Sequence, residues 1–262
     1  MIVAVVGLER EARIVAGSDI AISRRGTNLP ALIAQGAQGI ISIGIAAGLD
    51  PTLKVGDCVI ASHVVIHNQR YEADESWARS LTLCLAQHSP LPLVGRDRVG
   101  GEATNLRADA DSEPPTRIAM RSDLPTRGRW KKAPEIFTGV IAGGDVVVAS
   151  ASEKDQLRAQ TSALAADMES HIAARAAAEA NIPFAALRIV SDEASEALPP
   201  AAIVAMRADG IIDIGAVVGS LMVRPAQIPA LMRTARNAEI AFRALLRCRD
   251  ALGPRLAFPD LG

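Results

Sequence analysis

Residues 2–7 (IVAVVG) are apolar without interruption over the length of a strand, and 39–48 (GIISIGIAAG) and 184–190 (FAALRIV) are mostly apolar runs of similar kind. A strand with one wet face alternates apolar and polar residues. These do not alternate, so both faces must be covered, the condition met inside a parallel sheet with helices on each side. Residues 56–66 (GDCVIASHVVI) and 137–150 (FTGVIAGGDVVVAS) read as further strands bordered by glycine. Helical patterns fall between them. LEREARIVA follows the first strand, with Glu9 and Glu11 where the helix dipole favours anions. Ser152 and Asp155 have the spacing of a capping box for a helix over SEKDQLRAQTSA. An alanine-rich helix is expected from about Asp167 to Ala180, stopped by Asn181 and Pro183. The alternation defines an α/β fold with a central, mostly parallel twisted sheet flanked by helices.

With 262 residues the chain has room for a full core, and we expect a single domain over 1–262. Aromatic residues make up only 3% against 49% hydrophobic, so alanine, valine, leucine and isoleucine must fill the interior. A net charge of −1 gives no global field to attract nucleic acid. Cys58, Cys84 and Cys248 are far apart and in no CxxC spacing, which suggests neither disulfides nor zinc and fits a reducing compartment. No apolar run approaches the ~20 residues of a membrane span, and the start of the chain lacks a signal-peptide pattern; a cytoplasmic location is expected. Residues 95–135 lose the apolar period and read as a flexible excursion. Residues 198–250 read as a C-terminal helical extension broken by prolines, and the tail after Gly253 reads as loose.

In open α/β sheets, ligands bind beyond the carboxyl ends of the strands. Ser191 and Asp192 lie at such an end, directly after LRIV. Asp167 and Glu169 stand at the start of a helix, where the dipole helps keep a carboxylate ionised. An ionised carboxylate is a pure acceptor, so Glu169 suits a vicinal diol such as that of a ribose. From these residues alone, an N-cap for Asp167, a surface role for Glu169 and a turn role for Asp192 stay open. His63 and His67 lie in a strand pattern with no third ligand, and no metal is expected. No dinucleotide, Walker or GxSxG motif is present.

Three segments together resemble the nucleoside phosphorylase and nucleosidase superfamily: DMESHIAARAAAEANIPFAALRIVSDEA (167–194), GIAAGLDPTLKVGDCVIAS (44–62) and AGGDVVVASASEK (142–154). The opening GLEREARIVAG, QRYEADESW (69–77) and the segment from ALPPAAIVAMRADG onward are similar to the hopanoid-associated phosphorylases. The resemblance implies a phosphorylase-like fold, release of adenine from a lipid-linked adenosine nucleoside (adenosylhopane), inorganic phosphate as co-substrate with no other cofactor, and a homo-oligomer. The runner-up is a nucleosidase using water on 5′-methylthioadenosine or S-adenosylhomocysteine. A nucleoside-binding protein that has lost catalysis is a third reading.

Residue by residue, the resemblance assigns Asp192 as the acid that protonates adenine N7, a role that needs a dry cleft to keep its proton at neutral pH. It assigns Glu169 to the ribose diol, Met168 to packing on the sugar, and Val147 and Ser191 to the nucleobase. Phosphate is expected at Gly7, Gly44 and Ile45, because the turn at Gly7 and a loop from Gly44 to Gly48 can present backbone N–H groups as an anion nest. Arg24 and Arg25 are its favoured partners, ahead of Arg10 and Arg13. Hydrolytic relatives carry a water-activating glutamate in the first helix, which aligns here with Ala12, although Glu11 is adjacent; that departure argues for phosphate. Ile45 and Ala47 replace residues usual in the glycine loop and argue the other way. Apolar residues from Leu198 to Met232 suit a channel for the lipid, a peripheral membrane contact or a subunit interface.

Overall fold

The computed structural model describes residues 1–88, 134–205 and 214–259. The excursion expected at 95–135 therefore lies outside the described residues, apart from Pro134 and Glu135, as do 206–213 of the C-terminal stretch. Strand and helix alternate from the start. The strand β1 (Ile2–Val6) leads into α1 (Glu9–Val15), and β2 (Ile20–Arg24) into α2 (Leu29–Ala34). Then come β3 (Gly39–Gly48), β4 (Cys58–Ile66), β5 (Gln69–Glu72) and α3 (Glu75–His88). They are followed by β6 (Ile136–Gly143), α4 (Ala151–Thr161), β7 (Ala165–Asp167), α5 (Ser170–Ala180) and β8 (Phe184–Asp192). Three helices close the chain: α6 (Pro200–Ala205), α7 (Ile214–Val223) and α8 (Ile228–Ala251).

The sheet is mixed. Parallel pairs join β1 to β2 and β3, β3 to β8, β4 to β6 and β6 to β7. Antiparallel pairs join β3 to β7, β4 to β5 and β4 to β8. Followed around, β3, β8, β4, β6 and β7 close into a ring, with β1–β2 attached to β3 and β5 to β4. The ring closes where Ala47 and Gly48 meet Ala166 and Ala165, at the carboxyl end of β3.

Every residue of β1 is buried, and its side chains split with the two-residue period of a strand. Ile2, Ala4 and Val6 face Trp77, Leu81, Phe242 and Leu245 of α3 and α8. Val3 and Val5 face Ala173, Ala174 and Ala177 of α5. Small alanines let α5 lie close on the sheet, and each fully buried Ile, Val or Leu contributes about 1.5–3 kcal/mol.

Five local expectations change. First, β3 stays a strand through Gly48 instead of opening into a loop at Gly44, because Gly44 to Ala47 remain paired with β8. Second, β6 ends at Gly143, short of the expected Ser150, where its pairing with β7 runs out at Asp167. Third, the capping box of α4 is Ser150 with Glu153, two residues earlier than expected: Ser150 Oγ accepts from Glu153 N, and the Glu153 carboxylate accepts from Ser150 N. Fourth, α5 begins at Ser170, since Asp167 ends β7 and its carboxylate accepts the N–H groups of Glu169 and Ser170. Fifth, the described part of the tail, up to residue 259, is packed. Trp77 Nε1 donates to Leu256 O at 2.9 Å, and the Phe258 ring meets Trp77 edge-on at 4.8 Å. Among the described residues no helix is long and apolar enough to cross a membrane.

Candidate active site

Arg188 stands in the middle of β8, fully buried, where an unpaired charge is prohibitive. Its partners explain its survival there. Nη2 pairs with the Asp167 carboxylate and donates to Ser42 Oγ at 2.5 Å, Nε donates to Ser170 Oγ at 3.3 Å, and Glu169 Oε2 lies 4.0 Å away. Nη1 is buried without a protein partner. Gly44 sits opposite Arg188 in the β3–β8 register, and a Cβ there would stand 2.7 Å from Nη1 and against the Glu11 carboxylate. Glycine at 44 is thus what lets these two charged groups approach.

Glu11 comes from the first turn of α1. Its carboxylate accepts three backbone N–H groups: Gly7 and Leu8, each at 2.8 Å, and Ile45 at 2.7 Å. Burial raises its pKa, while the Arg188 charge and the three N–H donors work against that rise. Ala12, one residue on and about 100° around the helix, packs against the hydrophobic core. The first-helix carboxylate in this cluster is therefore Glu11, while Ala12 faces the core.

Glu169 caps α5 and is nearly buried. Burial pushes its pKa up to about 7; Arg188 opposes this, Asp167 and Glu11 add to it, and Arg25 opposes it more weakly. Arg25 Nη1 approaches Glu169 Oε1 at 3.4 Å. Arg25 and Gly26 both have left-handed backbones, φ 49° and 76°, and a Cβ at Gly26 would collide with Ile172 of α5. That tight turn presses the loop onto α5 and aims Arg25 inward. Gly7 is equally constrained, because its Cβ would lie 2.7 Å from Glu169 Oε1. Arg24 is not brought to this cluster. It pairs with Glu9 at 2.6 Å, Arg13 reaches the same Glu9, and Arg10 pairs with Glu239.

The second half of the site lies further along β8. The β3–β8 register slips after Ala46, leaving Ser191 as an extra residue, and such a bulge re-aims the side chain that follows. Asp192, nearly buried, receives Ser191 Oγ on Oδ1 at 2.7 Å and the ammonium of Lys154 on Oδ2 at 2.5 Å. Lys154, fully buried on α4, also donates to Glu193 O and Glu196 O at 2.8 and 2.9 Å. All three of its protons are engaged. The segment 144–150 holds half-buried Val147 and is tethered to α5 by Asp145 and His171 Nε2 at 3.2 Å. Met168 is half-buried beside Glu169.

The structure thus gathers Gly7, Gly44, Ile45, Glu169 and Arg25 into one cluster and puts Ser191 and Asp192 in another. Arg188, Glu11 and Lys154 complete the clusters, and none of the three was assigned from sequence. Among the described residues no cluster of His, Cys, Asp and Glu could hold a metal. Three carboxylates around Arg188 make a cluster whose charge suits a cation or a polyol. The Lys154–Asp192 pair makes a site suited to a group that both donates and accepts hydrogen bonds.

Comparison with known proteins follows this geometry. A profile of the phosphorylase superfamily matches residues 8–218. The 5′-methylthioadenosine/S-adenosylhomocysteine nucleosidase of Mycobacterium bovis is 27% identical over 158 residues, and the match spans 60% of each chain. Among solved structures, futalosine hydrolase of Helicobacter pylori superposes with a TM-score of 0.59 at 15% identity, covering 96% of both chains. The Helicobacter pylori 5′-methylthioadenosine/S-adenosylhomocysteine nucleosidase gives 0.55 at 15% identity, over 95% of this chain and 97% of that one. At such identities the two structures show a shared fold.

Proposed function

The chain belongs to the phosphorylase superfamily, and on that premise we propose that it cleaves the N-glycosidic bond of a 5′-substituted adenosine with water as the nucleophile. The observation that carries this reading is the position of Glu11. Its carboxylate takes the N–H groups of Gly7, Leu8 and Ile45, the donors expected to hold phosphate. A phosphate would have to displace a buried carboxylate from them. A water molecule needs only one acceptor and one donor, and Glu11 Oε1 and the unpartnered Arg188 Nη1 both border Gly44. The raised pKa of Glu11 suits a group that takes a proton from water as the bond to C1′ forms.

The remaining roles follow from charge. Glu169 accepts from the ribose diol, steadied by Arg25, with Met168 against the sugar. As the C1′–N9 bond lengthens, positive charge grows on the sugar, and the surplus of carboxylates around it lowers the barrier. Asp192 and Ser191 meet the purine edge, and Val147 packs on its face. The mycobacterial relative, a nucleosidase by name, supports hydrolysis on an adenosine-type substrate.

A second reading, phosphorolysis of a lipid-linked adenosine, draws on one observation: Met222, Val223 and Met232 stand exposed where α7 gives way to α8. They suit an apolar 5′ group, a peripheral membrane contact or a second subunit.

The deciding experiment measures adenine release from 5′-methylthioadenosine and from a lipid-linked adenosine, each with and without phosphate. Release independent of phosphate is expected, and Glu11→Gln should lower it about 100-fold or more, as for loss of a general base, with little change in KM. Release that requires phosphate overturns the hydrolytic reading and favours the second one.

A further inference from the structure

The Lys154–Asp192 pair poses a problem for any account in which Asp192 protonates a leaving purine. Asp192 Oδ2 is bonded at 2.5 Å to an ammonium that is itself fully buried, and Oδ1 already accepts from Ser191. In this arrangement both carboxyl oxygens of Asp192 face hydrogen-bond donors. The proton nearest to it belongs to Lys154.

We propose that Lys154 is the proton store for the leaving base: its buried ammonium holds Asp192 as the anion in the free protein and passes a proton through Asp192 to the purine during cleavage. This rests on the N-glycosidase reading above. The balance is complete. The Nζ–H bond breaks with its electron pair left on nitrogen, the Asp192 carboxyl carries the proton, and N7 takes it as the C1′–N9 pair moves onto the purine. Lys154 ends as a neutral amine and regains a proton from solvent, while the proton of the attacking water goes to Glu11. Lysine suits this part because its ammonium can give up a proton in a buried setting, whereas a guanidinium does not.

The surroundings leave Lys154 and Asp192 to each other. Glu193 turns to Lys54 at 2.9 Å, and Glu196 to Asn237 at 3.0 Å and Arg233 at 3.5 Å. On α4, Glu153 serves the helix cap and Arg158 pairs with Asp50 at 2.8 Å. Among the described residues, only the backbone carbonyls of Glu193 and Glu196 share the ammonium with Asp192.

The test is the pH profile of adenine release from 5′-methylthioadenosine, from about pH 5 to 10, for the wild type, Lys154→Met and Lys154→Arg, with the melting temperature of each. Lys154→Met removes the store, so its alkaline limb should retreat to lower pH, with the rate on the acid side kept within about tenfold. Lys154→Arg keeps the cation but withholds the proton, and should lose about 100-fold or more at every pH. If Lys154→Met does not fold, Lys154→Arg carries the test alone. An unmoved alkaline limb in the methionine variant, or wild-type turnover by the arginine variant, leaves Lys154 a structural partner and overturns the proposal. A wild type that releases no adenine from any 5′-substituted adenosine overturns the N-glycosidase reading beneath it, a failure seen before any variant is made.

Discussion

At the end of the site proposed for the sugar, Glu11, Asp167 and Glu169 surround one fully buried guanidinium, with Arg25 at the edge; at the end proposed for the base, one carboxylate meets one fully buried ammonium. The first cluster has more acids than cations, and burial pushes Glu169 up to about 7. The second is matched charge for charge. Breaking an N-glycosidic bond makes the sugar positive and sends electrons into the base, so a surplus of anions belongs at one end and a proton supply at the other. On the proposed reading that asymmetry favours the separated state over the intact nucleoside, because buried charges are screened less than exposed ones.

The contrast breaks most severely at Arg188. Replacing it by leucine leaves Asp167, Glu169 and Glu11 with only Arg25 nearby, and removing one partner of a buried ion pair costs about 3–5 kcal/mol. Urea melts of Arg188→Leu should show that loss at pH 8 and a smaller one at pH 5, where protons neutralise part of the surplus. An equal deficit at both pH values would mean that Arg188 acts by packing, and the charge imbalance at the sugar end would lose its meaning.

Both halves of this contrast were only partly legible beforehand. Strands such as 2–7 and 184–190 declare themselves because both faces are buried, and Glu169, Ser191 and Asp192 stand out where a small apolar pattern is interrupted. Arg188 offered a signal that was passed over: a lone cation inside ALRIV, fully buried in the strand that pattern predicts, has to meet a carboxylate. Glu11 carried another, since a glutamate in the first turn of a helix commonly reaches back to the N–H groups before it. Ala12 is one residue further on, a step that on a helix turns a side chain from this cluster to the core. Lys154 gave no signal at all. Its neighbours in SEKDQLR are polar, and only the fold brings it under the end of β8. The bulge at Ser191 was equally hidden, because it arises from pairing between two strands far apart in the chain.

A gentler perturbation is pH. Glu169 titrates near 7 in the folded protein against an ordinary 4.5, so the folded state holds the extra proton between those values. The sign follows directly: the contribution is fully present below about pH 4.5, fades as pH rises through 7 and is gone above it, amounting to about 3 kcal/mol at most. Chemical denaturation across that range should show wild-type stability falling, and Glu169→Gln should flatten the slope. A slope that survives in the variant would assign the surplus charge to Glu11, the other acid there whose pKa burial raises.

The smallest effect asks what holds the base end in place. Ser150 caps α4, and its carbonyl accepts the first helical bond from Lys154 N at 3.1 Å. Ser150→Ala removes the hydroxyl that accepts from Glu153 N, a loss of about 1 kcal/mol, while the Glu153 carboxylate still accepts from Ala149 N and Ser150 N. If the ion pair with Asp192 fixes Lys154, the variant should melt slightly earlier and release adenine at nearly the wild-type rate. If the cap fixes it, the rate should fall further than stability does. The first result is expected, because three hydrogen bonds from a buried ammonium outweigh one exposed cap in setting where that side chain lies.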